Sequence, residues 1–125
     1  MRFVLTGGSG FVGNFLINKL CYLYPQIEIH NLDSNPRKPI YKIESGRQNL
    51  TNHLVDITNK DDLMKFKFDH GDVVFHLAAH IFHPQTPYRT KRKKYFEKLN
   101  VEGTKNILEE MNKNNVKRIA FLYQP

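Results

Sequence analysis

The segment Thr6-Gly7-Gly8-Ser9-Gly10-Phe11-Val12-Gly13 follows directly on the apolar run Phe3-Val4-Leu5. Glycine permits positive φ in a tight turn, close approach of backbone to a ligand, and close packing of a helix on a strand. A helix that starts there offers unpaired N–H groups and a partial positive charge, which suit the oxygens of a pyrophosphate. Asp33 falls 20 positions after Gly13. At that separation an acidic residue ends the second strand of a βαβ unit and accepts hydrogen bonds from ribose hydroxyls. The same carboxylate repels a 2′-phosphate. A glycine-rich turn that merely joins strand to helix is the alternative, and the presence of strand, helix and Asp33 in register argues against it.

These residues need elements to position them, and the chain supplies short apolar runs alternating with helix-period stretches, the pattern of a parallel α/β sheet. Arg2 to Thr6 reads as a first strand. Val12, Leu16, Leu20 and Leu23 then form one apolar helix face, closed by Pro25. Ile27 to Asp33 reads as a second strand, Asn35 to Gly46 as a surface loop, and His53 to Ile57 as a third strand. Thr58 is the expected N-cap, with Asp61 three residues on, of a short helix around Leu63 to Phe66. Asp72 to Ala79 is apolar enough for a strand buried on both faces. Pro84 and Pro87 mark a loop, and Phe96, Leu99, Gly103, Asn106 or Ile107, and Met111 mark a helix from about Tyr95 to Lys113. Val116 to Tyr123 reads as a fifth strand.

Size and composition fit one globular domain: 125 residues, 40% hydrophobic and 25% charged. No apolar stretch approaches the ~20 residues of a membrane span. The beginning of the chain lacks a signal-peptide core and Cys21 is a lone cysteine, so a cytoplasmic protein is expected, with the thiol buried. Much of the net charge of +7 comes from Arg89, Lys91, Arg92, Lys93, Lys94 and Lys98. A solvated helix face is the default reading of such a run, with an anionic ligand or nucleic acid as the alternatives. His76, His80 and His83 are spaced by four and three, but no cysteine or carboxylate cluster completes a metal shell around them.

Taken together, the motifs resemble the extended short-chain dehydrogenase/reductase family of NAD-dependent epimerases, dehydratases and 3β-hydroxysteroid-dehydrogenase-like reductases. Residues Thr6 to Gly13 look like its TGxxGxxG fingerprint, and Val55-Asp56-Ile57-Thr58 like its acidic turn after strand three. His76-Leu77-Ala78-Ala79 is similar to its HxAA segment, and Asn100 to Leu108 to its NVxGTxNxL helix. Val116-Lys117-Arg118-Ile119 resembles the approach to strand five.

The resemblance implies a Rossmann-type, doubly wound parallel sheet of about five strands, truncated after the fifth, with residues 1–125 as one incomplete NAD(P)-binding domain. It implies that Gly7, Gly10, Phe11, Val12 and Gly13 meet the cofactor's phosphates and that Asp33 meets the adenosine ribose. Asp56 and Ile57 would flank the adenine, Leu77, Ala78 and Ala79 would pass under the pyrophosphate and ribose, and Asn100 would stand near the nicotinamide. NAD is the expected cofactor, with NADP as the alternative raised by Arg37 and Lys38. The family's Tyr-x-x-x-Lys pair, in which lysine lowers the phenol's pKa for acid/base work, has no counterpart: none of the six tyrosines has a lysine four residues on. No catalytic residue is therefore expected, and a small-molecule substrate only if a further C-terminal part is supplied. A non-catalytic remnant that associates with a partner, or with its own copy through strand five, is the competing expectation.

Overall fold

The computed structural model describes residues 1–35, 49–80 and 89–122, with residues 89 and 90 described by backbone alone. Its strands are β1 (Phe3–Thr6), β2 (Ile29–Asp33), β3 (Leu50–Leu54), β4 (Val73–His76) and β5 (Arg118–Phe121). They form one parallel sheet in the order β3-β2-β1-β4-β5. From β1 the chain winds outward to β2 and β3, then returns to β4 on the other side. The strand order thus reverses between β1 and β4, where open α/β sheets form a crevice at the carboxyl ends. Thr6 stands opposite both Leu32 and His76, so the loops that follow β1, β2 and β4 leave the sheet at one level.

Each face of the sheet has its own core. Helix α1 (Phe11–Leu23) lays Ile17, Leu20 and Cys21 on Phe3, Leu5 and Ile29. On the other face α2 (Lys60–Leu63) and α4 (Thr104–Lys113) bring Leu63, Ile107 and Met111 onto Val4, Leu32 and Val74. Val4, Leu5, Ile29, Leu63, Val74 and Ile107 have no exposed surface, and each such side chain stabilises the fold by about 1.5–3 kcal/mol relative to exposure. At the amino ends of β1 and β4, Arg2 donates from Nε and Nη2 to the two oxygens of fully buried Asp72, both at 2.8 Å. That hydrogen-bonded carboxylate raises the Arg2 pKa, against a smaller lowering by burial.

Several expectations need correction. The buried stripe of α1 is Gly13, Ile17, Leu20 and Cys21, whereas Val12 and Leu23 are exposed. Gly13 turns the helix by packing on the Gly7–Gly8 backbone, which rotates the stripe one residue forward. The third strand is Leu50–Leu54 rather than His53 to Ile57. It is an edge strand and pairs with β2 partly through polar side chains, Asn52 with Asn31 and His53 with His30, so it lacks an apolar signature. The N-cap of α2 is Asn59, whose Oδ1 accepts the Asp62 N–H at 3.1 Å. Thr58 instead donates its hydroxyl to Asp56 Oδ1 at 2.7 Å, and the helix ends at Leu63, where it was expected to begin.

Strands two, four and five are also shorter than expected, because Ile27, Glu28, Asp72, Leu77 to Ala79, Val116, Lys117 and Leu122 lie beyond the paired register, while Tyr123 lies outside the described residues. The last helix begins at Arg89, not Tyr95. It runs as α3 (Arg89–Phe96), a π-helical segment Glu97–Gly103, and α4 without a break. The basic run therefore lies on α3 and the turn after it, with Lys91, Lys93, Lys94 and Lys98 exposed to solvent.

Candidate functional site

The glycine loop leaves β1 with Gly7 at φ +71°, a left-handed conformation that disfavours side chains. A Cβ on Gly7 would stand 2.7 Å from Ala78 Cα, so the loop and the segment after β4 touch through backbone. A Cβ on Gly13 would stand 2.6 Å from Gly7 O. Gly10 is different: its backbone is extended, and a Cβ there would meet nothing nearer than Gly7 O at 3.4 Å. Among the described residues, room is left in front of Gly10. Gly10 also caps α1 without a side-chain hydrogen bond, so the first turn keeps its N–H groups directed outward.

Buried Asn31 holds the loop from β2. Its Oδ1 accepts the Gly8 N–H at 2.9 Å, and its Nδ2 donates to Ser9 Oγ and to Asn52 Oδ1. Two residues on, Asp33 accepts the Ser9 N–H on one carboxylate oxygen (3.1 Å) and the Asn35 N–H on the other (2.8 Å). Each carboxylate oxygen keeps a second lone pair for an incoming hydroxyl.

These residues surround a cleft of about 340 Å³ at the carboxyl edge of the sheet. Gly7, Gly10 and Asp33 lie on one side, Asp56 and Ile57 on another, and Leu77, Ala78 and Ala79 along β4's extension. The Asp56–Ile57 wall is held from α4: Asn106 Nδ2 donates to Ile57 O at 2.9 Å, and Gly103 is close enough that a Cβ would stand 2.9 Å from Ile57 Cδ1. Asp56 is itself oriented by accepting both the N–H and the hydroxyl of Thr58 on Oδ1.

His80 lines the far end of the cleft. Its ring stacks on Tyr95 with centroids 4.1 Å apart, and the Tyr95 hydroxyl lies 3.1 Å from His80 Nδ1. Burial pushes the His80 pKa down. Asn100, on the π-helical segment, clamps the His80 backbone in both directions: Oδ1 accepts its N–H at 2.7 Å, and Nδ2 donates to its carbonyl at 3.0 Å.

The structure therefore brings together around one cleft eight of the residues singled out from sequence: Gly7, Gly10, Asp33, Asp56, Ile57, Leu77, Ala78 and Ala79. Gly13 lies behind the loop, and the side chains of Phe11 and Val12 point to solvent from the first turn of α1. Asn100 reaches the site through His80. Arg37, Lys38 and His83 lie outside the described residues. Asn31, Asn106 and Tyr95 went unrecognised as site residues, although Asn31 and Asn106 each carried a signal: an amide inside an otherwise apolar stripe.

A parallel sheet wound in both directions from β1, with a glycine loop at the reversal, is a Rossmann-type α/β fold. Residues 3–123 match the profile of the NAD dependent epimerase/dehydratase family, and the chain belongs to that family. It is 33% identical over 119 residues to a putative UDP-glucose 4-epimerase of Methanocaldococcus jannaschii, covering 94% of this chain and 36% of that protein. It is 27% identical to a decarboxylating sterol-4-alpha-carboxylate 3-dehydrogenase of Saccharomyces cerevisiae, covering 94% of this chain and 33% of that protein. A crystal structure of UDP-galactose 4-epimerase superposes with a TM-score of 0.72 at 30% identity, covering 97% of this chain and 37% of that one. Uronate dehydrogenase from Agrobacterium tumefaciens, at 19% identity and a TM-score of 0.73, shares the fold. The chain spans about a third of the length of the curated relatives it matches.

Proposed function

We propose that this chain is the NAD-binding portion of a longer epimerase, dehydratase or reductase, acting by hydride transfer on a nucleotide-sugar or similar hydroxyl or keto substrate. The observation that carries the reading is Gly10. Its missing side chain is explained by no neighbour among the described residues, and it faces the cleft that Asp33 and Ala78 share. The loop from Gly7 to Gly13, with the amides of Phe11 and Val12, would receive the pyrophosphate at the start of α1. Asp33 would accept the adenosine ribose hydroxyls, which favours NAD over NADP. Asp56 and Ile57 would flank the adenine, and Leu77, Ala78 and Ala79 would underlie the pyrophosphate and second ribose. Asn100 would shape the nicotinamide end by fixing His80. Bound there, the nicotinamide would take up or return a hydride. No residue is assigned as the acid or base, and the chain by itself is read as non-catalytic. Cys21, buried and in no disulfide, supports a reducing, cytoplasmic setting.

Calorimetric or fluorescence titration of the 125-residue chain with NADH is expected to saturate. No binding at millimolar cofactor would rule the reading out for this chain.

A second reading, association through β5, is supported by the edge position of that strand and by exposed Phe121 and Leu122. Gel filtration is expected to show a species larger than a monomer, reduced by Phe121→Lys; a stable monomer at high concentration counts against it.

A further inference from the structure

Buried His76, the last residue of β4, sits between two hydroxyls. Its Nδ1 lies 2.6 Å from Thr6 Oγ1, and its Nε2 lies 2.8 Å from Thr104 Oγ1. The directions of these bonds follow from their neighbours. Thr104 Oγ1 is 2.7 Å from the carbonyl oxygen of Asn100, which can only accept, so the Thr104 proton goes there. Thr104 must then accept from His76, which places a proton on Nε2. Nδ1 is left as the acceptor and takes the Thr6 hydroxyl proton. Thr6 Oγ1 in turn accepts the Ala78 N–H at 3.3 Å. Every donor in this chain of five groups has one acceptor, and only the neutral imidazole in its Nε2–H form satisfies them all.

We propose that His76 is a positioning residue for the cleft: it ties the floor, at Thr6 and Ala78, to the π-helical turn whose Asn100 clamps His80. The two ends of this network belong to segments that touch the cleft from different sides, the backbone after β4 and the helix after α3. Without the link, the Asn100 carbonyl loses the Thr104 hydroxyl as a partner fixed on the sheet side, and Ala78 loses an oriented acceptor. The inference deepens the cofactor reading above and rests on it for the consequence to binding, although not for the network itself. The groups facing His76 are the uncharged Thr6 from β1, Thr104 from α4 and the Phe121 ring from β5, whose centroid lies 5.7 Å away. Burial is what pushes the His76 pKa down, so the neutral ring is the form present at neutral pH.

The test has a ligand-free arm and a binding arm. Long-range ¹H–¹⁵N correlation spectra of the 125-residue chain at pH 7.5 are expected to show His76 as the Nε2–H tautomer. The near-isosteric Thr104→Val is expected to shift the Ala78 and His80 amides and to weaken NADH binding by about fivefold, roughly 1 kcal/mol for one lost buried hydrogen bond. Thr104→Ser, which restores the hydroxyl, is expected to recover both. An Nδ1–H tautomer or an imidazolium at pH 7.5 overturns the proposal, as do unshifted amides in Thr104→Val. If the unsubstituted chain fails to bind NADH, the cofactor reading falls while the tautomer and amide shifts still decide the network.

Discussion

Gly7 and Ala78 are in backbone contact: a single Cβ added to Gly7 would lie 2.7 Å from the Cα of Ala78, at a φ of +71°. Two loops that leave neighbouring strands are thereby pressed together at the head of the sheet. Gly7→Ala is expected to lower the unfolding free energy by about 2–4 kcal/mol, from left-handed strain together with the overlap. Urea unfolding measures it, and a midpoint equal to that of the parent chain would contradict the contact.

Gly10 gives the opposite outcome. Its φ of −73° suits any residue, and nothing among the described residues crowds a Cβ there except Gly7 O at 3.4 Å. Gly10→Val is expected to change stability by less than about 1 kcal/mol. It should weaken NADH binding at least about tenfold, since the branched side chain would occupy the space where the proposed function puts the pyrophosphate. The pair would separate a glycine required by the protein's backbone from one that the proposed function assigns to the ligand, and equal stability losses in the two variants would erase that distinction.

On the proposed reading, the charge of Asp33 selects between the two dinucleotides. Asp33→Asn keeps the size and one accepting oxygen but removes the repulsion of a 2′-phosphate. The ratio of NADPH to NADH affinity is expected to rise at least about tenfold. Titration of both cofactors against both proteins reads the ratio, and an unchanged ratio assigns the selection elsewhere.

Arg2 and Asp72 anchor the amino ends of β1 and β4. Replacing Arg2 with Met would strand a carboxylate that has no exposed surface, at a cost of about 3 kcal/mol. Adding Asp72→Asn should recover part of that loss, because a neutral amide is cheaper to bury than an unpaired charge. A double-mutant cycle in denaturant reports the coupling, and strictly additive losses would mean the pair does not act as one.

Acid should destabilise the chain through three histidines, buried His76 and half-buried His53 and His80. His76 and His80 are lowered by burial, and His53 is lowered by burial first, then by His30 and Arg2. In each case the unfolded chain, with a pKa of about 6.5, binds the proton more tightly than the folded one. Stability is therefore complete above that value, declines as pH falls below it, and levels off below the folded pKa values. Unfolding followed between pH 7.5 and 5.5 should show the decline, with a smaller slope in His76→Gln. A flat profile over that interval would mean that these rings protonate as readily folded as unfolded.

The sequence by itself determined the features whose chemistry is local. A glycine-rich turn between an apolar strand and a helix, and an acid at the end of the next strand, are bound by spacing along one βαβ unit, so Gly7, Gly10, Gly13 and Asp33 could be read directly. The alternation of elements likewise follows from short-range periodicity. Tertiary structure alone decided which polar residues act inside the fold, because a buried amide or imidazole is defined by partners far away in sequence. Asn31 reaches Gly8 across 23 residues, Asn106 reaches Ile57 across 49, and His76 reaches Thr6 across 70. The same cause hid β3, an edge strand paired partly through Asn52 and His53, and shifted the stripe of α1, which Gly13 sets by its fit against the Gly7–Gly8 backbone. Spacing along the chain shows where the glycine loop lies; only packing shows what holds it in place.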